Sequence, residues 1–493
     1  MRKIYRDRLY LSIFTFVLLF ITSCNSEDIL QEEGESSSIE LRSAADGKYD
    51  LLGYGYDVTD DYLGLNSHKR KILDIDAIRA IKSDYYDFDN GSEISQTTYA
   101  GENSNSFLEE IKKKTNISAN ASFKPDNSNL NKAFTGSVSK YKETGSTFDY
   151  SSKYSFTRID VMKRMKRHML YGNTEVYKKC LSQTFLEDLN TFTPERLVKE
   201  YGTHVLTDIT LGGMYSLTYR SVIEDIKNKN NKKTIVKAGA GIALKKIGLN
   251  IDGSIETEEN TTLGKINKSW SAKLICKGGD GSGTVRTFSS DGSFTDTYNF
   301  DGWAKSVTLT NCRLVDVNWE KAIPIYELVA DPIKKQQIKT VVDNYILNSQ
   351  INMPSVAPLY VYYNPKTNAY VTTPNDNMWQ YDSSYELRGI TGYCLTSKTP
   401  QTTELYEYFE STTGYHTVTT NGDLAKNNKN QKLLAILGYI FYRDYFEVTS
   451  VPLYEYHSTK KGDHFAGSDN SLLKMPSNYE RFNWELGFVL PTK

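Results

Sequence analysis

Three segments in the last third of the chain are variants of one another: Pro358-Leu359-Tyr360-Val361-Tyr362, Glu404-Leu405-Tyr406-Glu407-Tyr408 and Pro452-Leu453-Tyr454-Glu455-Tyr456, at spacings of 46 and 48 residues. Each is followed by a turn-rich stretch: Asn364-Pro365-Lys366-Thr367, Ser411-Thr412-Thr413-Gly414 and Ser458-Thr459-Lys460-Lys461-Gly462. A second aromatic strand comes next, and each copy closes on a Gly-aromatic pair: Gly392-Tyr393, Gly438-Tyr439 and Gly487-Phe488. Units this short cannot bury a face alone, so three of them must close on one another. The expectation for residues 354–493 is an all-β, pseudo-threefold, β-trefoil-like domain. Sixteen of the 36 tyrosines fall there. A flat ring with a hydroxyl tip suits stacking on a sugar face and packing in a small β core alike. The receptor-binding candidates are Tyr360, Tyr362, Tyr406, Tyr408, Tyr454, Tyr456 and His464. Asp463-His464 has no carboxylate counterpart at Ala369-Tyr370 or Tyr415-His416, which favours hairpin packing or hydrogen bonds to a sugar hydroxyl over metal or acid/base chemistry.

The opposite end is a targeting segment. Arg2, Lys3, Arg6 and Arg8 precede an apolar run from Leu9 to Ile21, too short for an ordinary membrane-spanning helix and right for a secretory signal. The run ends in Ile21-Thr22-Ser23-Cys24, which resembles the lipobox of bacterial lipoproteins. The resemblance implies cleavage of residues 1–23 and lipidation of Cys24. Asn25-Ser26-Glu27-Asp28 resembles the acidic export tag of surface lipoproteins in Bacteroides-like bacteria. The expected location is a lipid anchor at the outer membrane, surface-exposed, or secretion. Residues 24–47, rich in Glu and Ser, read as a flexible tether. Losing four cations and Asp7 with the signal takes the net charge from −1 to −4, with no basic face for a nucleic acid. Cys180, Cys276, Cys312 and Cys394 form no CxxC pair, so no metal site is expected; a Cys276–Cys312 disulfide is left open.

Between these ends, residues 48–350 mix strands and helices. Val176, Cys180, Leu181, Phe185, Leu186 and Leu189 recur at helical spacing across 175–192, and Thr193-Pro194 supplies the cap and first position of another helix. Residues 214–222 and 269–277 read as strands and 331–347 as a last helix before the linker at Pro354 and Pro358. No HExxH, Walker, GxSxG or CxxC motif is present, and Gly278-Gly279-Asp280-Gly281-Ser282-Gly283 lacks the Lys-Ser/Thr helix of a phosphate cradle, so it reads as a flexible turn. The chain is not expected to be an enzyme, and no cofactor is expected.

One motif goes further. Tyr201-Gly202-Thr203-His204, an apolar residue, and then Gly212-Gly213 ahead of a strand match the signature of the membrane attack complex/perforin (MACPF) family. The opening Leu52-Gly53-Tyr54-Gly55-Tyr56-Asp57-Val58 is similar to that of MACPF lipoproteins from gut Bacteroides. The resemblance implies an α+β fold with a bent four-stranded antiparallel sheet, flanking helical clusters, and Gly212 and Gly213 near the bend. His204 has no nucleophile or carboxylate at catalytic spacing and reads as a structural hydrogen-bonding residue. The family mechanism implies two segments that refold into membrane-spanning hairpins. Alternating polarity singles out Ile117, Ala119, Ala121 and Phe123 before the signature, and Ile242, Leu244, Ile247, Leu249 and Ile251 after it. The third C-terminal copy also resembles a repeat found beside bacterial hydrolases and surface proteins, which implies glycan or cell-wall binding. The resulting reading is a pore-forming, antibacterial or toxin-like lipoprotein. Its partners would be a target-cell membrane, a glycan or outer-membrane receptor, and further copies of itself in a ring. The alternative is a glycan-binding adhesin with a MACPF scaffold and no pore activity.

Overall fold

Long strands carry the first part of the chain, and three small strand triplets carry the second. The computed structural model describes residues 47–120, 133–139, 154–223, 232–249, 267–290, 298–349, 355–444, 450–460, 462–468 and 478–492. The signal segment, Cys24, most of the tether, Ala121, Phe123 and Ile251 lie outside the described residues.

In chain order the elements are β1 (Tyr54–Tyr56), β2 (His68–Lys71), α1 (Ile75–Ile81), β3 (Tyr86–Gly101), α2 (Ser104–Thr115), β4 (Tyr154–Leu170), α3 (Thr174–Lys178), α4 (Gln183–Thr191), α5 (Pro194–Tyr201), β5 (His204–Val205), β6 (Asp208–Ile223), α6 (Lys232–Lys246), β7 (Asn267–Lys277), β8 (Val285–Ser289), α7 (Phe300–Ser306), β9 (Arg313–Val317), β10 (Ile323–Pro324) and α8 (Pro332–Asn348). Thr193 Oγ1 accepts from Arg196 N at 3.3 Å and Pro194 opens α5, a start that needs no intrahelical N–H there. The helical spacing over 175–192 resolves into two helices, not one. Leu181 bridges to Leu73, and Ser182 caps α4 by accepting from Phe185 N at 3.3 Å.

The central sheet is antiparallel, ordered β3-β4-β6-β7-β8, with β9 also pairing to β6. Four strands were expected; β8 and β9 make six, because short segments after β7 and α7 satisfy backbone groups left open along β7 and β6. A smaller sheet, β10-β5-β1-β2, joins the signature to the start of the domain. Two cores result. One packs Val161, Leu217 and Tyr219 of the central sheet against α6. The other gathers Tyr56, Phe107, Phe156, Tyr201 and Trp319. Cys276 lies in the first core and Cys312 in the second, and both are free thiols, so the disulfide left open above does not form.

The repeats become three like units: β11 (Val356–Asn364), β12 (Ala369–Thr373) and β13 (Glu386–Leu395); β14 (Thr402–Glu410), β15 (His416–Thr419) and β16 (Gln431–Phe441); β17 (Val451–Ser458), β18 (His464–Ser468) and β19 (Tyr479–Val489). Within each unit the first strand pairs with both others. The third strands meet pairwise through Leu395 and Tyr439, Phe441 and Phe488, and Tyr393 and Leu490. The threefold repeat is thus three three-stranded units joined at their closing strands.

Candidate functional site

The signature locks the start of the domain to the sheet. Gly202 adopts φ +74°, and a Cβ there would stand 2.6 Å from the Tyr56 carbonyl, so only glycine lets the chain turn this close to β1. Thr203 Oγ1 donates to Tyr56 O at 3.1 Å and accepts from Val58 N at 3.1 Å. Tyr201 is buried against Phe185 and donates to Asp188 Oδ2 at 2.7 Å. His204 Nδ1 meets Thr203 Oγ1 at 3.1 Å, and burial holds its imidazole down to about 3, so it is neutral at any physiological pH.

Gly212 and Gly213 stand at a row of bulges. Register breaks at Asn90/Glu93 in β3, at Met165 in β4 and at Thr210/Leu211 in β6 lie side by side across the sheet. Aligned bulges bend strands together. A Cβ on Gly212 would fall 1.9 Å from Lys163 O, and one on Gly213 would fall 2.5 Å from Val307 and 2.7 Å from Trp303. The row therefore admits close backbone approach on one side and a wedge, α7, on the other. Trp303 Nε1 donates to Gly278 O at 2.9 Å, and Lys163 Nζ reaches the α7 carbonyl of Ala304 and, at 3.3 Å, that of Val307. The glycine-rich run read as a flexible turn is an ordered seat for this wedge: Gly278, Gly279, Gly281 and Gly283 all take positive φ. Sequence reasoning missed Trp303 and Lys163. The only signal for them was that glycine run, more than 60 residues from the signature.

On the opposite face the bend is polar. Buried Arg158 donates through Nε to Asp160 at 2.8 and 3.0 Å and through Nη1 to Tyr62 O at 2.6 Å, with Asp61 at 3.4 Å. Lys277 Nζ donates to Leu63 O, and burial, with Arg158 nearby, brings its ammonium down to about 7. These contacts strap the 57–64 loop across the sheet. Beside it lies a cavity of about 490 Å³ lined by Tyr62, Asp160, Arg164, Arg167, Asp208 and Asp316, among others. Arg167 forks onto Asp208 at 2.7 Å twice, and Asn318 adds a bond to Asp208 at 2.9 Å. Asp316 is pushed up to about 6 by burial. Among the described residues no cluster of His, Cys, Asp or Glu is placed to hold a metal ion.

The hairpin candidates fall in the two long connections of the sheet: 102–153 joins β3 to β4, and 224–266 joins β6 to β7. Ile117 is buried beyond the end of α2, and Ala119 is exposed. Ile242 and Leu244 lie on α6, and Ile247 and Leu249 follow it; Leu244, Ile247 and Leu249 are fully buried. The connections take opposite faces. Phe107 of α2 stacks on Phe156 at 5.7 Å, and α6 lies over Val161 and Tyr219 on the other side. An ion pair, Glu110 to Lys233 at 2.9 Å, links them.

The receptor candidates need correcting. Tyr360, Tyr362, Tyr408 and Tyr456 are buried, Tyr362 against Trp379 and Tyr408 with its hydroxyl on Gly422 O at 2.9 Å, so they form the core of their units and cannot stack on an outside ligand. Tyr406, Tyr454 and His464 are half-buried, and His464 Nδ1 meets Glu455 Oε1 at 2.7 Å.

A family model described as the MAC/Perforin domain matches residues 45–353. A MAC/Perforin-domain protein of Bacteroides thetaiotaomicron is similar in structure at 15% identity, over 77% of this chain and 70% of its own, with a TM-score of 0.48. GNIP1Aa of Chromobacterium piscinae is similar at 15% identity, over 90% and 79%, with a TM-score of 0.43. No curated protein sequence matches.

Proposed function

The chain belongs to the MAC/Perforin domain family, and from that premise we propose that it is a pore-forming, antibacterial or toxin-like protein whose two sheet connections refold into membrane-spanning hairpins. The observation that carries this reading is topological. Each connection links two neighbouring antiparallel strands, so it can unfurl by continuing a register that already exists in β3–β4 or β6–β7. A barrel strand needs ~9 to 11 residues, and the connections hold 52 and 43. Four strands from one chain would leave open edges, which hydrocarbon does not tolerate, so several copies must close a shared barrel. In this proposal a lipid on Cys24 holds the protein at the outer membrane, and residues 354–493 bind a glycan or other receptor on the target.

The adhesin reading has one observation in its favour. The buried face of α6 includes Ala238, Gly239, Ala240, Gly241 and Ala243, small residues that give a weak lipid-facing surface.

Because Leu244, Ile247 and Leu249 are buried in the soluble form, a charge placed there would damage the fold before any membrane is met. A reversible lock avoids this. A Cβ on Gly239 falls 2.6 Å from Asn267 Cγ, so Gly239→Cys with Asn267→Cys places the two Cβ atoms at most about 4 Å apart, within disulfide range. The oxidised double variant should bind target cells and release no dye from vesicles of target lipid, and reductant should restore release. Dye release by the oxidised form at the parent's rate would show that α6 does not need to leave the sheet.

A further inference from the structure

We propose that the second C-terminal unit carries a lipid-docking patch: Leu433, Leu434 and Ile436 of β16, beside Lys429 and Lys432, rest in the headgroup layer of an anionic bilayer. This rests on the reading that residues 354–493 bind the target, and it names lipid as what they meet.

Five consecutive residues of β16, Lys432 to Ile436, are exposed. Leu433, Leu434 and Ile436 are each 45 to 49% exposed, and Tyr442, just past the strand, is 50% exposed. No other ten-residue stretch among the described residues exposes more than two large apolar side chains. A concentration of this kind marks an interaction surface, whereas single exposed apolar residues do not. Pairing fixes the direction of the strip. Leu433 stands opposite Tyr408 and Ile436 opposite Tyr406, so both share the face of those tyrosines, and Leu434 is the extra residue of a bulge between them.

The other units show the same place closed. In the first, Leu387 and Ile390 oppose Tyr362 and Tyr360. Met378 and Trp379, from the segment between β12 and β13, join Tyr360, Tyr362 and Ile390 in one core, and Ile390 is 7% exposed. In the third, Arg481 and Glu485 take the places of Leu433 and Ile436, and Arg481 lies over the Tyr454 ring at 4.1 Å. In the second, the segment between β15 and β16 turns through a short helix, Leu424–Asn427, and Gly422 O accepts from the Tyr408 hydroxyl at 2.9 Å. Tyr408 is covered there, and Leu433 and Ile436 are left open. Of the three units, only this one has the strip neither roofed nor charged.

The charges around the strip select its occupant. From Leu424 to Tyr442 the chain has Lys426, Lys429 and Lys432 and no acidic residue. Lys426 is paired with Asp423 at 2.6 Å, whereas Lys429 and Lys432 are exposed and make no ion pair among the described residues. Lysine is depleted where proteins meet proteins, while apolar side chains beside lysines compose elements that lie in a membrane interface. Anionic headgroups attract the lysines as the leucines and isoleucine dip below them. Tyr406 and Tyr442 carry the amphipathic ring favoured at that depth. The backbone limits the depth. Before Tyr439, β16 pairs with β14 alone, and the open N–H and C=O groups of its other edge must stay among headgroups and water.

The test uses residues 25–493 with Gly239→Cys and Asn267→Cys, oxidised so that α6 stays on the sheet, in sedimentation with vesicles of phosphatidylcholine alone or mixed with phosphatidylglycerol. The locked parent should pellet with the mixed vesicles and less with phosphatidylcholine. Leu434→Ser with Ile436→Ser should weaken that binding about tenfold or more. Lys429→Gln with Lys432→Gln should weaken it and flatten its dependence on salt. Trp484→Ser, which removes an exposed ring of the third unit, should leave it unchanged. Binding by the Leu434/Ile436 variant at the parent's strength would overturn the patch, and equal loss in Trp484→Ser would overturn its assignment to the second unit. Vesicle binding by the reduced protein alone would overturn lipid docking here and leave the refolding connections, and with them the pore reading, as the membrane contact. Binding to target cells but to neither vesicle, lost after protease treatment of the cells, would make the occupant a protein.

Discussion

The two connections of the central sheet are seated in different apolar cores, and the first is also tied to neighbouring loops by hydrogen bonds. Over 102–120 and 133–139, Phe107, Leu108, Ile111, Ile117, Ala133, Phe134 and Val138 are buried in the core that holds Tyr56 and Trp319. Phe134 N donates to Val58 O at 2.6 Å, Gly136 N to Thr59 O at 2.9 Å and Tyr62 N to Ser137 Oγ at 2.8 Å. Asn120 Nδ2 donates to Trp319 O and Ala322 O at 2.7 Å each. The second, over 232–249, is fixed by apolar contact: Ile235, Val236, Ala240 and Leu244 lie on Ile159, Val161 and Leu217. Exchanging a hydrogen bond with water changes stability by only ~0.5 to 1.5 kcal/mol. Exposing apolar area costs ~25 cal/mol per Å², and hydrocarbon gives that back where water does not. The second connection is thus held chiefly by apolar burial, whereas the first is held also by the 57–64 loop and the charges beneath it.

The strongest way to break this contrast is at Arg158. Arg158→Ala leaves Asp160 and Asp61 without their buried cation and should lower stability by ~3 to 5 kcal/mol in urea unfolding. Limited trypsinolysis should then cut faster within 102–153 and leave 224–266 at the parent's rate. Equal acceleration at both would mean that the two faces are not separately held.

Gly213→Ala addresses the other face with a smaller effect. Its methyl would meet Val307 and Trp303, so a loss of ~1 to 3 kcal/mol is expected from overpacking. Faster cleavage should appear in 224–266. A variant as stable as the parent would show that α7 is not wedged at the bend.

The smallest effect sharpens the polar side. The carboxyl of Asp316 is raised to about 6, so the native state holds a proton that the unfolded chain has lost between pH ~3.9 and 6, and this group takes stability away as pH rises through that window. Asp316→Asn removes that loss. It should melt above the parent at pH 7.5 by a degree or a few, since Asp316 faces the cavity on one side, and should match it at pH 4. An advantage that persists at pH 4 would place the effect elsewhere.

What the sequence determined by itself lies within short stretches of chain. Thr193-Pro194 specifies a helix start, the recurring Leu-Tyr-x-Tyr segments specify three equivalent units, and Tyr201-Gly202-Thr203-His204 with Gly212-Gly213 specifies the family, because capping, repetition and glycine torsions are legible over a few residues. Tertiary structure decided the rest. The same Leu-Tyr-x-Tyr pattern buries Tyr408 and leaves Tyr406 half-open, and the wedge at the bend comes from Trp303 and Gly278, far from Gly213 in sequence. Helical spacing ran through Leu181 until its bridge to Leu73 ended the helix. Spacing says which side chains share a face. Only long-range packing says what that face meets, and so whether a tyrosine is core or a glycine run is a seat.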